Sequence, residues 1–168
     1  MTVRRFIAYP DKRLRMVCTV VDTITDDVKL IWQDMLDSMY AMPGVGLGAN
    51  QVGESLRLAV MDCSDTHDQP VRMANPKVLH ASAKLRAHEE GSPNLAGVWA
   101  KIERPRAVTV EYMDETGDMV ERDFVGLWAT SVQHQIDHLN GKMFFDHLGP
   151  VKRKMLLAKA AKLAKRKG

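Results

Sequence analysis

Residues 106–113 and 118–124 alternate apolar and polar side chains on either side of Asp114-Glu115-Thr116-Gly117. Alternation with a period of two marks a strand with one buried face, and a short polar turn containing glycine joins two such strands into an antiparallel hairpin. A sheet of that kind needs a cover for its apolar face. Covers are present on both sides of the hairpin in the chain. Residues 25–41 place Val28, Ile31, Trp32, Met35, Leu36 and Met39 at helical spacing, with Thr25 as cap, Asp26 and Asp27 at the positive end, and Pro43 beyond. Residues 127–139 read as a second helix, stopped by Asn140-Gly141. Residues 57–63 read as a strand and residues 71–79 as an extended segment. The order predicts an α+β fold in which antiparallel strands cover a central helix.

With 168 residues, 45% hydrophobic and 27% charged, the chain fits one globular domain. Cys18 and Cys63 imply no disulfide framework and suit a reducing compartment. There is no apolar run long enough to span a membrane, and the start, MTVRRFIAYPDKRLR, carries charge without an apolar stretch. A cytoplasmic protein without membrane contact is therefore expected. The net charge of +3 hides an asymmetry: residues 151–168 hold eight basic residues and no acid, so residues 1–150 hold 16 basic and 21 acidic residues, a net of −5. We expect a body over 1–150 and a basic amphipathic helix over 151–168, opened by Pro150 and carrying Met155, Leu156, Leu157, Ala160 and Leu163 among its charges. That helix either docks on the body through its apolar stripe or meets RNA, or an RNA-rich particle, through phosphates. It has no aromatic residue for base stacking, and no sequence-specific DNA contact is expected.

The second helix carries His134-Gln135-Ile136-Asp137-His138. Residues four apart share a helical face, so two imidazoles can converge on one ion. A hydrolytic version of this motif needs a glutamate after the first histidine to take a proton from metal-bound water. Gln135 keeps the shape of glutamate and cannot ionise.

Two further stretches accompany it: Gly44-Val45-Gly46-Leu47-Gly48-Ala49-Asn50-Gln51 and Glu90-Gly91-Ser92-Pro93-Asn94. Together with Tyr9-Pro10-Asp11-Lys12-Arg13-Leu14-Arg15 near the start, they make the chain resemble the peptide deformylases along nearly its whole length. In that family the stretches read G-x-G-x-A-A-x-Q, E-G-C-L-S and H-E-x-D-H. The resemblance implies removal of the formyl group from the N-terminal formyl-methionine of new polypeptides. It also implies a divalent metal (iron, with nickel, cobalt or zinc as substitutes), and antiparallel sheets around the His-bearing helix. Residue by residue, His134 and His138 match metal ligands, Ser92 stands for the cysteine ligand, Gln135 for the catalytic glutamate, and Gln51 for the glutamine that polarises the formyl oxygen.

Each departure has a consequence. A thiolate is a soft anionic ligand, whereas a serine hydroxyl is neutral and binds weakly, so any divalent metal is expected to be absent or weakly held. His88, Glu89, Glu90 or Asn94 could replace the lost ligand. If the residues around Ser92 are extended, Glu90 and Asn94 share its side. Gln135 removes a general base, a group that contributes about 10²–10⁴-fold to rate. Pro93 removes the backbone N–H that the resemblance assigns to oxyanion stabilisation.

The resemblance also places a peptide path along Val45, Gly46, Leu47, Glu90, Gly91 and Pro93. Thr130 and Ser131 replace larger apolar residues where methionine is gripped, and they either line a more polar pocket or face neighbouring backbone. Trp99 replaces an arginine near the peptide path, as a ligand surface or as core, with core the preferred reading. Asp137 is expected to make a structural hydrogen bond, or to orient a ligand. His67, His80 and His147 are expected to be solvated or structural. Two functions remain open: a deformylase-like protein with lost or strongly reduced activity that keeps a groove for nascent peptide N-termini, or an active metal-dependent amide hydrolase using Glu89, Glu90 or Asp137 as a new base. By resemblance, the basic helix would contact the ribosome.

Overall fold

A computed structural model describes residues 1–167. Helix α1 (Asp26–Ala41) opens where Thr25 Oγ1 accepts a hydrogen bond from the Val28 N–H at 3.2 Å, and it ends ahead of Pro43. Strands β1 (Gly46–Gly48), β2 (Leu58–Met61), β3 (Val71–Ala81), β6 (Ala107–Met113) and β7 (Met119–Val125) form one antiparallel sheet in the order β1-β2-β3-β6-β7. Strands β4 (Leu85–Ser92) and β5 (Leu95–Pro105) form a separate two-stranded ladder. Helix α2 (Gly126–Leu139) lies between the two sheets, and α3 (Pro150–Lys167) closes the described chain.

Three apolar clusters hold these layers together. Ala129, Val132 and Leu139 of α2 pack on Met61, Met73, Val110 and Phe124 of the large sheet. Trp32, Met35 and Met39 of α1 pack on Leu47, Leu58 and Val60. Val98 and Ile102 of β5 pack on Met143, Phe144 and Phe145, with Ala160, Leu156, Leu157 and Leu163 of α3 completing that cluster. The apolar stripe of the basic helix is thus docked on the body, while its lysines face outward. No helix among the described residues is long and apolar enough to cross a membrane.

Two features position the site. Gly46 lets β1 approach α2, since a Cβ there would lie 2.4 Å from Gln135 Nε2 and 2.5 Å from Ser131 Oγ. Gly141, at φ +75°, turns the chain out of α2 where a side chain would strike the Arg15 carbonyl.

Candidate functional site

Helix α2 turns one face toward the sheet and another toward a cleft of about 680 Å³. Thr130, Ser131, His134 and Gln135 form the cleft floor. Phe6, Met42, Pro43, Val45 and Gly46 form one wall. Glu89, Gly91, Pro93, Val98 and Trp99 form the other.

The two imidazoles meet, with His134 Nε2 and His138 Nε2 3.0 Å apart. His134 stacks on Phe144, at 14° between planes, and its Nδ1 lies 2.8 Å from Glu90 Oε1. Arg104 holds Glu90 through Nε–Oε2 at 2.7 Å and Nη2–Oε1 at 3.0 Å, and reaches Asp137 Oδ2 through Nη1 at 2.8 Å. His147 Nε2 lies 2.7 Å from the same Asp137 oxygen. Burial pushes the Glu90 carboxyl up, but His134 and Arg104 outweigh it and hold the group below the usual range. Asp137 behaves alike: burial raises it, and the His147 hydrogen bond with the Arg104 charge takes it down to about 2. His138 is fully buried, and burial first, then His134, pushes its imidazole well below the ordinary range, so it is neutral.

Ser92 is also committed. Its Oγ donates to Asn94 Oδ1 at 3.0 Å and accepts from the Asn94 N–H at 3.2 Å. Gln51 Nε2 donates to Asn94 Oδ1 at 2.7 Å and sits 3.4 Å from Ser92 Oγ. Asn94 Nδ2 in turn donates to the Ile7 and Gln51 carbonyls. Pro93 offers no N–H beside them. Gln135 Oε1 is buried without a partner, as is His138 Nδ1.

The sequence profile of the polypeptide deformylases matches residues 3–154.

The chain belongs to the peptide deformylase family.

A peptide deformylase of Rhizobium meliloti is 42% identical over 170 residues, covering 100% of this chain and 98% of the relative, and one of Rhodopseudomonas palustris is 41% identical, covering 99% and 97%. Among solved structures, the peptide deformylase of Legionella pneumophila superposes with a TM-score of 0.92 at 36% identity, covering 99% of this chain and 98% of that one. That of Ehrlichia chaffeensis in complex with actinonin gives 0.91 at 32% identity, covering 96% and 98%.

Within this peptide deformylase fold, the expected residues fall into three groups. Val45, Gly46, Glu90, Gly91, Ser92, Pro93, Gln51, Thr130, Ser131, His134 and Gln135 line the cleft, and His138 lies directly beneath. Leu47 does not join them. Its side chain is fully buried among α1 and β2, because alternation along β1 sends Gly46 to the cleft and Leu47 to the core. Trp99 corrects the core reading: it is 62% exposed at the cleft rim, on the opposite face of β5 from buried Val98 and half-buried Ala100. A Cβ on Gly91 would come within 2.6 Å of the indole, so the ring rests on that glycine. Asn94 lies in the β4–β5 turn and reaches back to Ser92, while Glu90 shares the buried side of β4. His147 is structural, as the partner of Asp137.

The donor set does not fit the metal that the family resemblance implies. Two imidazole nitrogens converge, but the third position is a neutral hydroxyl already bonded to Asn94. Glu90 is held by Arg104 and His134, and Asp137 by Arg104 and His147. Among the described residues, no group of three or more His, Cys, Asp or Glu side chains is arranged to hold a metal ion. Arg104 and Phe144 are the residues that sequence reasoning did not assign to this centre, and Asn94, a candidate replacement ligand there, instead bonds Ser92 and Gln51. Arg104 pairs with Arg86, four pairs along the ladder from the Glu90–Ala100 pair, so its side chain reaches back to the glutamate on the same face, a contact no local pattern announces.

Proposed function

We propose that this chain keeps the peptide-binding cleft of a deformylase while its formyl-removing activity is lost or strongly reduced. The observation that carries this reading is Gln135. Its amide lies on the cleft floor, buried, with Oε1 unpartnered, where hydrolysis needs an ionisable carboxylate. An amide can hold a formyl group or the N–H of a peptide, so binding is retained where proton transfer is not. Gln51 and Ser92, which would meet the formyl group by resemblance, are both bonded to Asn94, and Gln51 Oε1 also accepts from the Gly48 N–H. Pro93 withholds an oxyanion donor, a loss worth about 3–4 kcal/mol in a well-studied hydrolase. These losses act on one reaction and do not simply add.

The ligands of this reading are nascent peptide N-termini, with His134, His138 and Ser92 holding at most a weakly bound divalent metal. The basic face of α3 supports contact with the ribosome. The alternative, an active hydrolase with a rearranged site, draws less support. Glu90 and Asp137 are both ion-paired, which leaves Glu89 at the rim as the remaining carboxylate of the cleft.

The test is turnover of formyl-Met-Ala-Ser by the purified chain in nickel or iron buffer, beside the Rhizobium meliloti relative. We expect a rate lower by about 10² or more. A rate within about tenfold of the relative overturns the reading.

A further inference from the structure

The inner end of the cleft carries a feature that the loss of hydrolysis does not explain. Thr130 and Ser131, each 4% exposed, line it together with His88, Leu127 and Val45. Arg86 Nη1 donates to Thr130 Oγ1 at 2.9 Å. That bond leaves the Thr130 hydroxyl proton free to donate, and it polarises the hydroxyl in that sense. Ser131 Oγ reaches the Val45 carbonyl only at 3.5 Å, the outer limit of a hydrogen bond, and otherwise meets the Cys63 thiol, a weak acceptor. The pocket therefore offers two hydroxyl donors and an imidazole to whatever enters.

Charge points the same way. Arg86 and Arg104 are cross-strand partners on β4 and β5. Arg104 is neutralised by Glu90 and Asp137. Arg86 is half-buried, and among the described residues no carboxylate lies within ion-pair distance of its guanidinium. Of the nearby acids, Glu90 is already paired with Arg104 and His134, and Glu89 is exposed on the other face of β4. A half-buried cation behind hydrogen-bond donors, with no anion of its own, is complementary to an anionic ligand group.

We infer that this pocket recognises a carboxylate, so that the cleft prefers peptides whose first residue is glutamate or aspartate over peptides that begin with methionine. The inference rests on the proposal that the cleft still binds peptide N-termini, and it moves the preferred ligand from chains that begin with formyl-methionine to peptides with an acidic first residue. A thioether in this pocket would leave the Thr130 hydroxyl proton without an acceptor and Ser131 with weak partners alone, whereas a carboxylate accepts from both, with the Arg86 charge behind Thr130.

Calorimetry with formyl-Met-Ala-Ser, formyl-Gln-Ala-Ser and formyl-Glu-Ala-Ser tests it without reference to turnover, so its outcome is independent of whether the chain hydrolyses anything. We expect the glutamate peptide to bind about tenfold or more tighter than the methionine peptide, a factor of ten being 1.4 kcal/mol. It should also bind tighter than its neutral glutamine isostere. Arg86→Met should abolish the glutamate-over-glutamine preference. In the unaltered chain, raising salt from about 0.05 to 0.5 M should shrink the same preference, which reads the charge without any variant. Equal or tighter binding of the methionine peptide, no glutamate-over-glutamine difference, or binding of none of the three overturns the inference.

Discussion

Arg104→Met would expose how much of the site rests on one guanidinium. The side chain is 5% exposed and sits between Glu90, at 4%, and Asp137, at 19%. It makes two hydrogen bonds to Glu90 and one to Asp137, all between 2.7 and 3.0 Å. Methionine fills much of the same volume but leaves one carboxylate buried with only His134 and the other with only His147. Removing one partner of a buried pair costs about 3–5 kcal/mol, a large part of the ~5–15 kcal/mol that holds a domain together. With a urea slope near 2 kcal/mol per molar, the unfolding midpoint should fall by about 2 M. The triple variant Arg104→Met, Glu90→Gln, Asp137→Asn removes the stranded charges and should regain part of that loss. A midpoint shift under about 0.5 M, typical of an exposed pair, would refute the reasoning. So would a triple variant no more stable than the single one.

Two further outcomes follow from the same geometry. Burial pushes the Cys63 thiol up to about 12; a hydrogen bond from Ser131 opposes it, and the Asp62 charge adds a smaller upward push. Iodoacetamide should therefore modify the native chain slowly at pH 9 and faster only as pH approaches the folded value. Because the folded value is raised, this thiol's contribution to stability is complete below its unfolded value of 9.0 and is lost as pH rises toward 12, measurable by thermal melts across that window. Gly141→Ala should cost about 1–3 kcal/mol by the same urea assay, from a left-handed backbone at φ +75° and a methyl placed 2.4 Å from the Arg15 carbonyl oxygen; a shift within about 0.5 kcal/mol would mean that the turn relaxes freely.

The sequence made the hairpin and both helices legible because each buries a single face, and a single buried face leaves a period. Strands β4 and β5 left no such trace. Arg86, His88, Glu89 and Glu90 put polar groups on both faces of β4, and the buried one is stabilised by Arg104 from a strand whose register no local pattern encodes. The same holds for the site. His134 and His138 announce themselves by spacing, and motif order along the chain locates Ser92 and Gln51. The way Asn94 occupies both Ser92 and Gln51 is a tertiary fact, as is the stacking of His134 on Phe144. Trp99 misled because a large aromatic is more often core than rim, and its support is a glycine eight residues away on the neighbouring strand. Leu47 misled because a motif was carried over whole, while β1 sends alternate residues to opposite faces.

Elemental analysis after purification in nickel buffer and exhaustive dialysis goes straight to the central claim, that the pair His134 and His138 lacks the third ligand needed to hold an ion. The chain should retain far less than one metal per molecule, whereas Ser92→Cys with Gln135→Glu should retain close to one. A stoichiometric, dialysis-resistant metal in the unaltered chain would contradict the account.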